Sequence, residues 1–231
     1  MENLGFTSLP AIIWRKPTNS PNKFLGSGSL PPGAYVTQEH EHILIFRKHG
    51  KREFITEQER EKRMESSYFW EERNMWFSDQ WNGVKGVRQS GKIGIGRERS
   101  AEFPMEVPYR LVNMFSIKGD TVLDPFSGTG TTSLAAMASG RNSIGYEINR
   151  ELYLSSLGRM EVSMEFLNSR IRQRMDDHVR FMENREKEKP SLYLNELHGF
   201  KVVGKNEAKI RISKICSIRR DMDNTIVCTY Q

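Results

Sequence analysis

The sequence predicts an α/β fold built around a parallel strand-helix-strand unit, and three observations between Thr121 and Glu147 predict it. Thr121 to Phe126 (TVLDPF) reads as a short apolar strand that carries an acid near its end. A glycine-rich turn (SGTGTTS) then leads into an alanine-rich helix over Leu134 to Ser139. After Gly140-Arg141-Asn142, a second strand over Ser143 to Tyr146 runs into Glu147. A strand, helix and strand in this order pair in parallel with a right-handed crossover.

The other elements follow in chain order. Leu9 to Arg15 (LPAIIWR) and His42 to Lys48 (HILIFRK) are short apolar runs bounded by breakers, as expected of buried strands, with a turn-rich stretch from Pro17 to Ala34 between them. Trp14 and His42 within them read as core residues or as functional ones. Residues 50–100 are polar and open with a helix-compatible charged run (EQEREKRMES). The aromatic and glycine-rich segment from Tyr68 to Arg99 holds Phe69, Trp70, Trp76, Phe77 and Trp81, followed by Lys85, Arg88, Lys92, Arg97 and Arg99 against the single acid Glu98. Aromatics followed by spaced cations suit nucleic acid, by stacking and charge neutralisation; they equally suit a small satellite core with a solvated rim. Val107 to Phe115 has helical spacing of apolar positions, and Gly119-Asp120 makes a turn. After Asn149 a long charged helix runs to about Glu186, and Ala208 to Ile218 alternates like an edge strand or a hairpin arm.

Composition narrows the class. The 231 residues carry 35 Lys plus Arg and 29 Asp plus Glu, a net charge of +6 that suits a polyanionic partner and equally an ordinary solvated surface. Every clean apolar run falls far short of the ~20 residues that a membrane span needs. The N-terminus (MENLGFTSLP) has no basic region followed by an apolar stretch, so no secretory signal is expected and a reducing cytoplasm is the default. Cys216 and Cys228 are too few for a disulfide framework or a four-cysteine zinc site, and no metal is expected.

The chemistry concentrates in the glycine turn. Gly128 and Gly130 lack the Cβ that blocks close approach, so backbone N–H groups and a helix N-terminus come near a ligand. The loop is not a Walker A motif, since no Lys follows the second Gly, and it is not G-x-G-x-x-G, since Thr131, Thr132 and Ser133 follow Gly130. Asp124 repels phosphate but accepts from an ammonium group. Glu147, 23 positions on (147 minus 124), suits the two hydroxyls of a ribose. A nucleoside that carries positive charge satisfies both acids, and S-adenosylmethionine is such a molecule.

The string Val122 to Thr132 (VLDPFSGTGTT) with Gly145-Tyr146-Glu147 resembles the cofactor motif of the DNA amino-methyltransferases, which methylate N4 of cytosine or N6 of adenine. Ile12 to Pro17 (IIWRKP) and Glu39 to Lys48 are similar to strands that precede the cofactor loop in the permuted class of that family. Arg99 to Pro104 (RERSAEFP, from Arg97) with Arg110-Leu111 resembles the segment just before the loop, and its Ala-x-Phe-Pro form looks more like the cytosine-N4 members. The resemblance implies a Rossmann-like, S-adenosylmethionine-dependent methyltransferase fold, base flipping, double-stranded DNA as partner and a restriction-modification context. It implies cofactor contacts from Asp124, Pro125, Phe126, Ser127, Gly128, Thr129, Gly130, Thr131, Thr132 and Glu147, with Phe126 against the adenine. Ser100 and Phe103 line the methionine end, and Lys85, Arg88 and Lys92 contact DNA phosphates.

One expected motif is absent. The family needs a polar residue, Pro-Pro and an aromatic in a row, because an exocyclic amine conjugated to its ring is a poor nucleophile that must be held and relieved of protons. Pro31-Pro32 sits between Leu30 and Gly33 and does not supply it; Tyr35 lies too far on. In the permuted class this tetrapeptide comes before everything seen here, so the expected fold is incomplete, lacking central strands. The expectation is a chain completed by a separately encoded N-terminal half, or a non-catalytic subunit or remnant. The expected parts are strands of the catalytic half over 1–49, target recognition over 50–98, cofactor βαβ and long helix over 99–190, and a strand-rich tail over 191–231.

Overall fold

The structure, a computed structural model, describes residues 2–16, 38–85 and 102–231 and separates into two units. The first comprises residues 1–52 and 78–91, the second 53–77 and 92–231.

In the first unit, β1 (Phe6–Arg15) and β2 (His40–Lys48) pair antiparallel from Phe6↔Lys48 to Arg15↔His40. Both extend further than the apolar runs suggest, because ladder hydrogen bonds recruit the polar residues at the ends. The register slips between Leu9 and Ile12, where Pro10 has no N–H to donate. A two-residue β3 (Gln80–Trp81) lies parallel to β1 on its other side. Ile12, Trp14, Trp81 and Val84 are buried, and the Trp14 indole N–H donates to the Val84 carbonyl at 2.8 Å. Trp14 is thus a core residue, whereas His42 is exposed.

The second unit begins with α1 (Glu57–Glu65), started by a reciprocal cap: Glu59 N–H donates to Thr56 Oγ1 (3.2 Å) and Thr56 N–H to Glu59 Oε2 (3.0 Å). Next come α2 (Trp70–Trp76) and α3 (Glu106–Phe115). The predicted strand-helix-strand unit is β4 (Thr121–Asp124), α4 (Thr131–Ala138) and β5 (Asn142–Gly145), parallel with Asp124 opposite Gly145. β4 stops two residues early because Pro125 cannot donate to a ladder and Phe126 N–H turns back to the Asp124 side chain. Among the described residues β4 pairs with β5 alone. α4 packs by its small residues: Ala135 and Ala136 are fully buried, and Ala135 and Ala138 share a core with Trp76, Tyr109, Leu167 and Ile171. The other face of the two strands is bare, with Leu123 61% and its cross-strand partner Ile144 49% exposed.

The single long helix expected after Asn149 is two: α5 (Arg150–Glu161) and α6 (Met164–Glu186). The break falls at Val162-Ser163, where the Ser163 N–H (3.2 Å) and hydroxyl (2.7 Å) both donate to the Met160 carbonyl and the Ser163 carbonyl starts α6 by accepting from Leu167 N–H at 2.9 Å. The tail forms two hairpins, β6 (Tyr193–Leu194) with β7 (Lys201–Val202) and β8 (Ile215–Arg220) with β9 (Ile226–Tyr230). The alternating run from Ala208 is therefore strand only from Ile215. Before that, side chains satisfy its backbone: Asn195 Nδ2 donates to the Ile210 carbonyl (2.8 Å) and His198 Nε2 accepts from Ile212 N–H (3.0 Å).

The aromatic segment resolves mostly into core. Phe69, Trp76 and Trp81 are buried, while Trp70 and Phe77 are partly exposed. Phe69 stacks on His178 of α6 at 3.7 Å between ring centres, and Trp76 meets Tyr109 edge to face at 6.3 Å. Arg174 of α6 binds both carboxylate oxygens of Glu72, at 2.7 and 2.8 Å, locking α2 against α6. Among the described residues no helix is long and apolar enough to cross a membrane.

Candidate functional site

The site is the loop between β4 and α4 together with the exit of β5. Asp124 ends β4, and its Oδ1 accepts from Phe126 N–H at 3.0 Å, which turns the chain outward. Ser127 N–H then donates to the Tyr146 carbonyl at 2.9 Å and ties the loop to the end of β5. Ser127 comes so close there that a Cβ on Gly145 would lie 2.9 Å from the serine Cβ. Gly130 N–H returns to the Ser127 carbonyl at 2.8 Å, and Gly130 enters α4 with φ of +80°, a left-handed conformation that glycine alone adopts without penalty. Gly128 also has positive φ, and nothing lies within 4 Å of where its Cβ would be, so its backbone is open to a ligand.

Glu147 organises this loop. Its Oε2 accepts from Gly128 N–H and its Oε1 from Asn149 N–H, each at 2.8 Å. Asn149 in turn caps α5, accepting from Glu151 N–H and Leu152 N–H. A carboxylate offers about four acceptor positions, so two remain for hydroxyls of a ligand. Phe126 is 89% exposed and Ile148 fully exposed beside these acids, an apolar pair at the rim of a polar loop.

Two functional candidates escape sequence reasoning. Glu102 accepts from the Thr131 hydroxyl and from Arg159 Nη1, and the same Arg159 nitrogen reaches Thr129 Oγ1 at 2.9 Å. A segment before α3, the first turn of α4 and the end of α5 are thereby clasped together. Burial alone would raise the Glu102 carboxyl, but the hydrogen bonds from Thr131 and Arg159 and the arginine charge outweigh it and hold it below the usual range. Nothing in the local sequence marks this pairing, since its partners lie 29 and 57 positions away.

Asp124, Pro125, Phe126, Ser127, Gly128, Thr129, Gly130, Thr131, Thr132 and Glu147 all lie on this one loop, the first turn of α4 and the exits of the two strands. Phe103 adjoins Glu102 and is 39% exposed. Lys85 is exposed in the other unit. Ser100, Arg88 and Lys92 lie outside the described residues, as do Pro31-Pro32 and Tyr35. Among the described residues no group of three or more His, Cys, Asp or Glu side chains is placed to hold a metal ion.

Residues 1–157 match the family model described as DNA methylase (N6_N4_Mtase), a span that includes the whole loop and the exit of β5. The chain belongs to the DNA methylase family. It is 48% identical to the Type II methyltransferase M.MthZI of Methanothermobacter thermautotrophicus over 227 residues, 98% of this chain and 63% of that protein. To the Type II methyltransferase M.MjaI of Methanocaldococcus jannaschii it is 54% identical over 151 residues, 65% of this chain and 48% of the relative. It thus spans about half to two thirds of the length of these DNA methylases. A solved structure from Thermus thermophilus, a candidate DNA modification methylase complexed with S-adenosyl-L-methionine, superposes with a TM-score of 0.54 at 35% identity, covering 68% of this chain and 54% of that one. The shared fold is the Rossmann-like methyltransferase fold that the resemblance of the cofactor motif implies.

Proposed function

We propose that this chain is the cofactor-binding part of a Type II DNA methyltransferase, which transfers a methyl group from S-adenosylmethionine to the exocyclic N4 of cytosine in duplex DNA within a restriction-modification system. The observation that carries the reading is the pair of acids at adjacent parallel strand ends, Asp124 and Glu147, flanking an open Gly128 whose amide already orients Glu147. The donor set fits a cationic nucleoside. Glu147 keeps two acceptor positions for the ribose hydroxyls. Asp124 accepts from the amino group, Phe126 and Ile148 cover the adenine, and Ser100 and Phe103 close over the methionine. S-adenosylmethionine supplies the sulfonium methyl group. The form of Ala101 to Pro104 supports cytosine N4 over the adenine-N6 alternative, and Lys85, Arg88 and Lys92 are assigned to DNA phosphates.

Calorimetry with S-adenosylmethionine tests the site. Glu147→Ala and Asp124→Asn should each weaken binding at least tenfold; unchanged affinity sinks the assignment. Analysis of the modified base in methylated DNA separates N4-methylcytosine from N6-methyladenine.

The residues that hold the target amine are assigned to polypeptide other than these 231 residues, since no polar-Pro-Pro-aromatic run occurs among them. Among the described residues β4 pairs with β5 alone and Leu123 and Ile144 are exposed, which supports that placement. Methyl transfer to DNA should be absent with this chain alone and appear on adding a protein that carries the tetrapeptide. Robust transfer by the chain alone overturns this part. If no added protein restores transfer while cofactor binding persists, the same absence favours a non-catalytic subunit.

A further inference from the structure

We propose that a second ligand site lies at the far end of α4, a cavity of about 280 Å³ that binds a phosphate group. It opens beside Ser139, Gly140 and Arg141, at the C-terminal end of the helix whose N-terminal end is Gly130. Eight helical residues separate the two ends by about 12 Å. The volume is at or just below the small end of ligand pockets, roughly 300 to 1,000 Å³, and suits a phosphate group better than a whole cofactor.

Charge is the reason for the assignment. Lys62, Lys118, Arg141, Arg174 and Arg211 line the cavity, against the single carboxylate Glu65. Three of the five cations have structural employment. Arg174 is matched by Glu72, Arg211 stands 3.7 Å from Glu65, and Arg141 holds the Ser116 and Ser139 carbonyls at the ends of α3 and α4. Lys62 and Lys118 are in excess. The Lys62 ammonium rests over Gly119, where the missing Cβ leaves it room. Among the described residues the Lys118 ammonium donates to the neutral carbonyl of Arg211, and its backbone N–H is fixed by Ser66 Oγ at 2.9 Å. Burial pushes the Lys118 amine down to about 8, with Arg141, Arg211 and Arg174 adding to the effect and Glu65 opposing it. A cation held this unfavourably in a cavity is relieved by an anion. Phosphate has enough acceptor oxygens to take hydrogen bonds from two ammonium groups and a guanidinium together.

The site is independent of the cofactor loop, and its test stands apart from methyl transfer. Inorganic phosphate and pyrophosphate are titrated into the chain by calorimetry at low ionic strength. The expected result is saturable binding, weakened at least tenfold in Lys118→Gln and in Lys62→Gln, and unchanged in Met222→Gln, an exposed residue that does not line the cavity. Absence of saturable binding, or equal binding by both lysine variants and the parent, overturns the proposal. Thermal melts on the same samples separate lost binding from lost fold; Lys62 is exposed, so its variant keeps the parent Tm and decides the matter if Lys118→Gln unfolds. A short DNA duplex distinguishes the sources of phosphate. If both variants weaken duplex binding and lower its salt slope by about 1, the site takes a backbone phosphate. If duplex binding is unchanged while phosphate binding is lost, it takes a free phosphoanion.

Discussion

Gly130 shows how a single residue fixes the loop. Its φ of +80° excludes side chains on backbone grounds, and a Cβ there would stand 3.2 Å from that of Ser156 on α5. Gly130→Ala should therefore cost about 1 to 3 kcal/mol of stability and loosen the start of α4, read as a drop in Tm. Lys118 carries a different kind of strain. Its amine titrates at about 8 in the folded chain and near 10.5 when unfolded, so between those values the unfolded chain binds more protons and stability rises with pH. At pH 7 the charged lysine destabilises, and Lys118→Met should raise stability by on the order of 2 to 3 kcal/mol. That gain should fade as the pH rises from 8 to 10.5. A gain that does not change with pH counts against a buried charge as its cause.

Among the elements, α2 and α6 meet through a nearly buried arginine-glutamate pair. Glu72 and Arg174 keep 11% and 9% of their side-chain surface, and Arg174 also lies 5.4 and 5.7 Å from the rings of Phe69 and Trp76. Removing one partner strands a buried charge, so Glu72→Gln should lower stability in urea melts by about 3 to 5 kcal/mol. Replacing both, as Glu72→Leu with Arg174→Met, should cost less than that single change. The same long-range character separates what the sequence reveals from what it hides. The βαβ unit, Asp124 and Glu147 were legible because their signals are local: strand lengths, a glycine turn, a helix of alanines. The break at Val162-Ser163 was not, since residues 159–167 hold no glycine or proline to mark it. Residues 208–214 alternate like a strand, yet Asn195 and His198 from earlier in the tail take their backbone groups. Glu102 and Arg159 are ordinary surface types in sequence, and only folding brings them to Thr129 and Thr131. The aromatics from Phe69 to Trp81 were ambiguous for the same reason, because composition does not say which rings meet His178 or Tyr109.

At the scale of the molecule, the least settled surface is the exposed face of β4 and β5. Leu123 and Ile144 stand opposite each other in water, beside a strand edge with open hydrogen-bonding groups among the described residues. Such a surface pairs with whatever apolar partner is at hand. Sedimentation velocity should show association of the isolated chain rising with concentration, and Leu123→Lys should suppress it; a monomer at all concentrations argues that the face is already satisfied. The loop above this sheet has a quieter consequence. The Gly128 amide hydrogen is held by Glu147, and so is that of Asn149 across the site, so one carboxylate shields two backbone protons from solvent. A ligand that draws on Glu147 must change how both are shielded. Their hydrogen-exchange rates, followed by NMR, turn the protein's own backbone into a gauge of occupancy that needs no labelled cofactor and no turnover.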